Sequence, residues 1–588
     1  MKLPTRQTIA GQGLDDVYDM VKTAIVKELQ GIQVLCLMFD GWSDSQGLPF
    51  VGLRVGYITT EWEYKVVTLS CNIVHEHTAQ NLSNHVRSQL EKFIGVESLK
   101  KMRLFTTHDG AANMVKASLM LKSEQFIHCV AHALHLLLVT DGLNRVPDLA
   151  ELLRKCGEIV KKLHFKGCEM RQEEHNFKDI SALADLMAKI QTVVTECDLD
   201  CQNPVTDNEG KTSSDMGEGE QDEKQATERT HNHTTLKKPI VTRWNSALHM
   251  IASIVDNMHA VDQVLLRCGL VDLKLQTDEK ELLSELKDFL VPFEEYTQLV
   301  SSSAACLSLI VLIRNDIIKK TKPYTTDKSA PSIKALKNEI AKNVNRRLRV
   351  NDTIITATVM DPSTKAHATS LVTDVQLRPY LDHTSATSDQ STSAVDIKAA
   401  ATRQYFADIL TRKFDNIIHS HAVAIASSTA SSPTSVGPRT GHSDENVSTA
   451  HVSLAVATQT QAGVPVSKKL KMLEEMEVNS SASPATGTPD AERIQLLQEI
   501  TSYLGPIRLS DAEKLSPLLF WKQNSHLYPR LSLIAKTYLT PSASSVPVES
   551  MFSTTGLIKN SRRASISPFR LNKVCFVHDN YGKFFPTE

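Results

Sequence analysis

Asp40 and Asp109 are the residues whose type and position first point to chemistry. Asp40 follows a short apolar run at residues 33–39, and Asp109 follows a second run at residues 103–107. Carboxylates at the ends of neighbouring strands can bind hard divalent cations through oxygen, and two cations roughly 3.5–4 Å apart support phosphodiester chemistry. The alternative is that each aspartate only opens a turn, because Asp-Gly is a common turn dipeptide.

A strand-rich N-terminal part must position these aspartates. A helix is predicted over residues 14–29, and Thr78 is the expected N-cap of another helix between the third and fourth strands. Residues 127–139 are predicted to be helical, and beyond residue 236 the pattern is nearly all helical. The sequence contains no Gly-rich phosphate loop of the kind that would indicate a nucleotide-binding fold. The predicted strands are residues 33–39, 51–57, 64–74 and 103–107.

The composition is typical of a soluble protein with several domains. A chain of 588 residues is too long to fold around one compact core. Of these residues 41% are hydrophobic and 22% are charged. The net charge of -2 argues against coating nucleic acid through bulk charge, so any DNA contact must use local basic patches. The ten cysteines are scattered, which favours a reducing intracellular compartment, and no apolar run approaches membrane-spanning length.

Changes in composition divide the chain into six segments. Two polar stretches are predicted to be disordered, and the second of them is interrupted by a helix-like patch at residues 395–418. The segments are an N-terminal linker and helix (1–32), a strand-rich part (33–197), an acidic linker (198–235), a helical part (236–382), a mostly disordered Ser/Thr/Ala-rich part (383–489) and a C-terminal part (490–588).

Seven motifs follow one another along the chain: FDGWS (39–43), THDGAANM (107–114), HCVAHALHL (128–136), VTRWNS (241–246), ATVMDP (357–362), PLLFWK (517–522) and VPVESMFS (546–553). Together they resemble the motifs of the hAT (hobo/Activator-like) transposases and of the zinc finger BED domain-containing proteins derived from them, and the last two resemble that family's C-terminal dimerisation region. Because the series spans most of the chain, it is more specific than any single motif.

The resemblance implies an α+β fold. Its RNase H-like mixed sheet is interrupted by a large all-α insertion domain and completed by the C-terminal region. It also implies a catalytic, metal-binding triad of Asp40, Asp109 and Glu549 that holds two Mg²⁺ (or Mn²⁺) ions. The alternative for Glu549 is a carboxylate at a helix start, where negative charge is favoured.

Arg243, Trp244, Arg562 and Arg563 are candidate DNA-binding residues. Arg243 and Trp244 match the signature whose tryptophan stabilises a flipped base in the family, and an aromatic face can replace lost base stacking. A tryptophan among helices is as often a core residue. Arg562 and Arg563 belong to a basic run after Glu549 that would contact phosphates beside an active site, or would form a solvated helix face.

Cys129 lies among three histidines, His128, His132 and His135, whose spacing places them near one helical face that could suit zinc. No complementary Cys/His pair lies nearby in the sequence, and the family uses this Cys-x-x-His as a structural element. Core packing is therefore the favoured interpretation.

Apolar residues crowd the segment from Leu518 to Leu539, which includes Phe520, Trp521 and Leu527. Such a stretch is expected of an obligate oligomer interface, or of a buried core within the chain. The resemblance favours the interface, and with it a homodimer or higher oligomer formed through the C-terminal region.

The family normally carries a BED zinc finger before the strand-rich domain, and nothing upstream of Gln33 offers the Cys and His ligands it needs. The chain is therefore expected to lack this finger, through truncation or loss. Two functions follow: a Mg²⁺-dependent DNA transposase, or a domesticated, non-catalytic dimer that acts in transcription or chromatin regulation. Both interpretations predict a nuclear protein with DNA as partner, without a membrane or a small-molecule substrate.

Overall fold

The fold is described from a computed structural model. The candidate residues Arg243, Arg562 and Arg563 and the acidic linker 198–235 lie outside the described residues, as does most of the segment 383–489. The described residues are 9–44, 46–164, 166, 169–170, 173, 236–238, 244–302, 305–387, 393–429, 489–559 and 566–586.

A five-stranded mixed sheet forms the N-terminal part, with the strand order β3-β2-β1-β4-β5. β1 and β2 are antiparallel, as are β2 and β3, whereas β4 runs parallel to both β1 and β5. This sheet, with the many helices around it, confirms the predicted α+β class. The strands are β1 Val34–Ser43, β2 Pro49–Ile58, β3 Tyr64–Ile73, β4 Arg103–His108 and β5 Gln125–His128.

Helices surround the sheet and build a second, all-helical part. Several begin with a proline, whose fixed φ suits a first helical turn. Among the described helices, none combines the length and apolar content that a membrane crossing requires. Those near the sheet are α1 Leu14–Leu29, α2 Ala79–Ile94, α3 Val96–Lys101, α4 Ala112–Met120, α5 Val130–His135 and α6 Pro147–Leu163.

The all-helical part follows in the chain, and the C-terminal helices come last. Short 3-10 turns at Val271–Leu273 and Lys365–Leu371 interrupt the first group. The helices are α7 Trp244–Asp256, α8 Met258–Arg267, α9 Thr277–Ser301, α10 Ser308–Thr321, α11 Pro331–Arg347, α12 Asp352–Met360, α13 Asp374–Thr387, α14 Ala394–Thr429, α15 Pro489–Leu504, α16 Asp511–Leu515, α17 Pro517–Asn524, α18 Pro529–Leu539, α19 Val546–Ile558 and α20 Pro568–Phe584.

β1 is the central strand, and both of its faces are covered. Because successive side chains of a strand point to opposite faces, Leu35, Leu37 and Phe39 pack with α1 and α2. Cys36 and Met38 pack on the other side with α19 and α20. A strand buried on both faces needs a continuous apolar run, which explains the sequence VLCLMF.

The edge of β3 is closed by α20 rather than by another strand. The side-chain amide of Asn580 donates to the Thr68 carbonyl (2.8 Å) and accepts from the Thr68 N–H (3.0 Å). The Asn572 side-chain oxygen accepts from the Cys71 N–H (2.7 Å). These bonds satisfy backbone groups that would otherwise be left open at a sheet edge.

The C-terminal part is divided between the sheet and the all-helical part. α15, α17 and α18 share one large hydrophobic core with α6 to α14, whereas α19 and α20 pack on the sheet. Trp521 belongs to this shared core: it is fully buried and its indole N–H donates to the Met360 carbonyl (2.7 Å).

Two sequence predictions are wrong at their boundaries. Residues 125–128 form β5, whereas the sequence predicted helix from residue 127; the tetrapeptide QFIH is too short to show strand periodicity and depends on pairing with β4. β1 extends to Ser43, so Asp40 lies within the strand and not after it, because residues 40–43 still pair with β2.

A buried segment, residues 540–545, joins the sheet to the helices. The Thr107 hydroxyl donates to the Ser542 carbonyl (2.9 Å), and the Ser542 N–H donates to the Cys36 sulfur (3.3 Å). Ala543 accepts from the Val130 N–H and donates to the Ala305 carbonyl, both at 2.9 Å. The segment is thus fixed on the sheet side and on the helical side just before α19 begins.

Thr107→Val is expected to lower the free energy of unfolding by about 1–3 kcal/mol, because it removes one partner of a fully buried hydrogen bond. Urea denaturation measures the change. Thr537→Val is the matched control, since the buried Thr537 hydroxyl only donates to a carbonyl of its own helix. Equal losses in the two variants would show that the Ser542 contact contributes nothing specific.

Candidate active site

Asp40 lies in β1, directly opposite Gly52 of β2. Burial raises the pKa of Asp40 from its ordinary value of 3.8 to about 7, against a hydrogen bond from the Gly41 N–H (2.7 Å) that favours the charged form. The negative charges of Asp109 and Glu549 raise the pKa of Asp40 further. The structure therefore brings the three predicted carboxylates close enough to interact electrostatically.

Asp109 follows β4, the strand parallel to β1. Its carboxylate accepts from the Ala111 N–H (2.9 Å), so this aspartate does open a turn, as the alternative interpretation predicted. Gly110 has φ of +89° and a Cβ there would lie 2.6 Å from the His128 ring, so this turn requires glycine. The charge of Asp109 nevertheless acts on Asp40, so its role in the turn does not separate it from the other carboxylates.

Glu549 lies in the first turn of α19, where a helix favours negative charge. A Cβ on Gly52 would clash with Met551 and would lie 2.9 Å from the Phe552 ring, so the missing side chain lets α19 sit directly on β2. Since Gly52 pairs with Asp40, this close approach sets Glu549 near Asp40. A glycine in mid-strand is the sequence signal that could have revealed the contact.

The far end of α19 is held by a buried ion pair between Lys559 and Asp44. Burial alone would raise the pKa of Asp44, but the Lys559 contact and hydrogen bonds from the Leu48 and Gln46 N–H groups outweigh it, and the pKa is lowered. Asp44 is therefore charged at neutral pH and anchors α19 to the turn after β1.

Trp244 and Glu549 line one cavity of about 490 Å³, together with His132, His135 and His249. Trp244 is 4% exposed and packs in the large helical core. Its indole N–H has no hydrogen-bond partner among the described residues. The core interpretation is thus confirmed for Trp244, which also forms part of a cavity wall, and its contact with a flipped base stays a prediction.

Cys129 is buried and its sulfur accepts from the Ser545 N–H (3.4 Å) and contacts the Ser544 hydroxyl (3.4 Å). The packing interpretation is confirmed for this residue. Cys129 fastens the start of α5 to the buried segment that leads into α19.

The oxygen donors of Asp40, Asp109 and Glu549 suit a hard cation such as Mg²⁺. The pKa of Asp40 is raised chiefly by burial and further by the charges of the other two carboxylates, which a bound cation would offset. Within the described part of the chain, no three His, Cys, Asp or Glu side chains stand in an arrangement that could hold a metal ion. The carboxylates fit a cation by type and charge, and would have to draw closer to share one.

The apolar C-terminal stretch is mostly core of the same chain. Phe520, Trp521, Leu531 and Ile534 are 3% exposed or less, whereas Leu527 is 57% exposed. The interpretation of these buried residues as an oligomer interface is wrong, because they fill the space between α12, α15 and α18. Any interface must use other residues of the region.

Comparison with known proteins gives two matches. Residues 499–581 match the hAT family C-terminal dimerisation region, which supports self-association. The chain is also 32% identical, over 114 residues, to the Transposable element Hobo transposase of Drosophila melanogaster. That alignment covers 19% of this chain and 17% of the length of the relative.

Asp40→Asn is expected to stabilise the metal-free protein at alkaline pH. Because the folded-state pKa of Asp40 is raised to about 7, the folded protein keeps a proton that the unfolded chain releases near pH 4, so wild-type stability falls as pH rises between these values. Asparagine removes this loss, which is on the order of 1–3 kcal/mol.

Thermal melting in EDTA from pH 4 to pH 8 measures the effect. The melting temperatures of variant and wild type should diverge as pH rises. The exposed aspartate Asp272, replaced by asparagine, controls for the loss of one charge. A constant difference across this range would contradict the raised pKa.

Gly52→Ala is expected to destabilise the protein by about 1–3 kcal/mol, because the added methyl group overpacks the contact with Met551 and Phe552. Gly31→Ala is the matched control, since a Cβ at Gly31 would meet nothing within 4 Å. Chemical denaturation compares the two. If the Gly52 variant were as stable as the Gly31 variant, α19 would not depend on this close approach.

Proposed function

We propose that the chain is a transposase-like protein of the hAT superfamily that cleaves and joins DNA with Asp40, Asp109 and Glu549, a proposal that the two matches support. The observation that carries the proposal is the effect of the Asp109 and Glu549 charges on Asp40. Three carboxylates distant in sequence are gathered at a cost in stability, and such gathering is typical of functional sites.

The sheet supports an RNase H-like core in this proposal. Asp40 lies on the central strand β1 and Asp109 follows the parallel neighbour β4, so both carboxylates lie toward one end of the sheet. α19 delivers Glu549 to the same end from the C-terminal part. The all-helical part between α6 and α15 then interrupts this core.

Asp40, Asp109 and Glu549 are the residues that would hold Mg²⁺ or Mn²⁺. A bound cation of this kind supplies activation of the attacking water and stabilisation of the leaving oxygen. Asp40 loses its own proton as pH rises through about 7, so its carboxylate is fully available to a cation only above that pH. Burial lowers the pKa of His108 to about 4, which keeps its imidazole neutral beside Asp109.

Trp244 is proposed to offer an aromatic face to an unstacked base in the cavity that it shares with Glu549. A volume of about 490 Å³ is within the range of ligand-binding cavities. Arg243, Arg562 and Arg563 stay predicted DNA contacts. Dimerisation through the C-terminal region and a nuclear location complete the proposal.

Purified full-length protein is expected to nick supercoiled plasmid in Mg²⁺ or Mn²⁺. Asp40→Ala, Asp109→Ala and Glu549→Ala should each reduce the nicking rate by about a hundredfold or more. Each variant would lose one carboxylate that holds the cation, and the cation stabilises the charge that develops in the transition state. Asp272→Ala is the carboxylate control. Gel electrophoresis measures nicking, and light scattering gives the mass of the same samples.

Retained nicking in the Asp109→Ala variant would rule out the triad. Loss of nicking in the three variants but not in the Asp272 control would support it. A dimeric wild-type protein that nicks no DNA would instead favour the non-catalytic dimer in transcription or chromatin regulation.

A further inference from the structure

Three arginines lie beside Asp109. Arg346 and Arg347 end α11 and Arg349 follows in the next turn, and all three line a small cavity of about 80 Å³ together with Asp109 and His128. This basic turn is residues 346–349. It comes from the all-helical part, so that part contributes a cationic wall to the carboxylate site.

The basic turn continues away from the site. A second cavity of about 350 Å³ shares Arg347, Arg349 and His128 with the first, and extends along β5 past Phe126 to Asn351. The shared residues make the two cavities neighbours. Together they form a path that starts at Asp109 and follows the edge strand of the sheet.

Asp141 holds the basic turn in place. Its carboxylate accepts from Arg347 Nε (2.6 Å) and Nη2 (3.0 Å), and from Arg346 Nη2 at 2.9 Å to each oxygen. Burial opposes the charge of Asp141, but the two guanidinium groups outweigh it and the pKa of Asp141 is lowered. Two guanidinium groups thus share the single carboxylate of Asp141, so the three side chains together carry one net positive charge.

Arg349 adds a second uncompensated charge. It is exposed, and its Nε donates to the Arg346 carbonyl (3.1 Å), which orients the guanidinium group. No ion pair joins it to a carboxylate among the described residues. The pKa of His128 is lowered first by burial and second by the positive charge of Arg349. The guanidinium group of Arg349 therefore acts on a histidine that lines the same cavity as Asp109.

The chemistry of this wall suits a phosphate chain. A guanidinium group presents paired N–H donors that match the oxygens of a phosphodiester. Two surplus positive charges along an open path favour an extended polyanion over a compact anion. The wall begins at Asp109, where the proposed reaction takes place, and this places the path next to the phosphodiester that would react.

We propose that the basic turn 346–349 binds the phosphate backbone of the DNA strand that passes Asp109, with Arg349 as the direct phosphate ligand. The proposal rests on the proposed function for the identity of the polyanion. In it, Arg346 and Arg347 position Arg349 and add charge, and Asp141 keeps the turn rigid.

Fluorescence anisotropy with the full chain and labelled duplex oligonucleotides tests this proposal, in EDTA and over a series of NaCl concentrations. Arg349→Ala should weaken binding to unrelated sequences alike, and should lower the slope of log K against log salt by about one. Arg349→Lys keeps the charge and should keep most of the slope. Arg154→Ala, at an exposed arginine on α6 paired with Glu151, should bind like wild type.

The outcomes separate this inference from the proposed function, because binding in EDTA does not require cleavage. If the wild-type protein binds DNA but does not nick it, and Arg349→Ala reduces the salt slope, phosphate binding by the basic turn is supported and the proposal of DNA cleavage is not. If the wild-type protein nicks DNA and the salt slope of Arg349→Ala is unchanged, phosphate binding by the basic turn is overturned and the proposal of DNA cleavage stands. A wild-type chain that binds no DNA, or an equal loss in Arg154→Ala, also overturns the basic turn.

Discussion

The buried segment 540–545 is the constraint on which the rest of this structure depends. Its polar backbone is matched by Cys36 and Thr107 of the sheet and by Cys129, Val130 and Ala305 on the helical side. Buried backbone groups without partners would cost roughly 1–3 kcal/mol each, so these hydrogen bonds hold the segment on its observed path. That path fixes where α19 begins and therefore where Glu549 stands.

The site combines strong fixation with electrostatic strain. Gly52 allows α19 to touch β2, and the Lys559–Asp44 ion pair secures the other end of that helix. Against this rigid frame, the mutual repulsion of the carboxylates contributes to the raised pKa of Asp40. A preorganised frame of this kind keeps like charges together that would separate on a flexible chain.

The sequence was most informative where local pattern decides structure. The apolar run of β1 and the position of Asp109 after β4 could be predicted, because buried strands carry their own signal. Glu549 could be placed only through resemblance, since no local pattern links it to Asp40. Spacing cannot distinguish a core within the chain from an interface, which is why Trp521 was misjudged. The basic turn 346–349 was not predicted, because its position in one cavity with Asp109 is purely tertiary.

The division of the sheet site between the two ends of the chain has a consequence for synthesis. Thr107 and Ser542 are 435 residues apart, and a ribosome that adds roughly 5–20 residues per second needs about 20–90 s to cover that distance. During this interval α19 and α20 have not yet been synthesised, so the face of β1 that carries Cys36 and Met38 is not covered by them. A translation product that stops before α19 therefore cannot assemble the three carboxylates, so this connectivity delays formation of the site until late in synthesis.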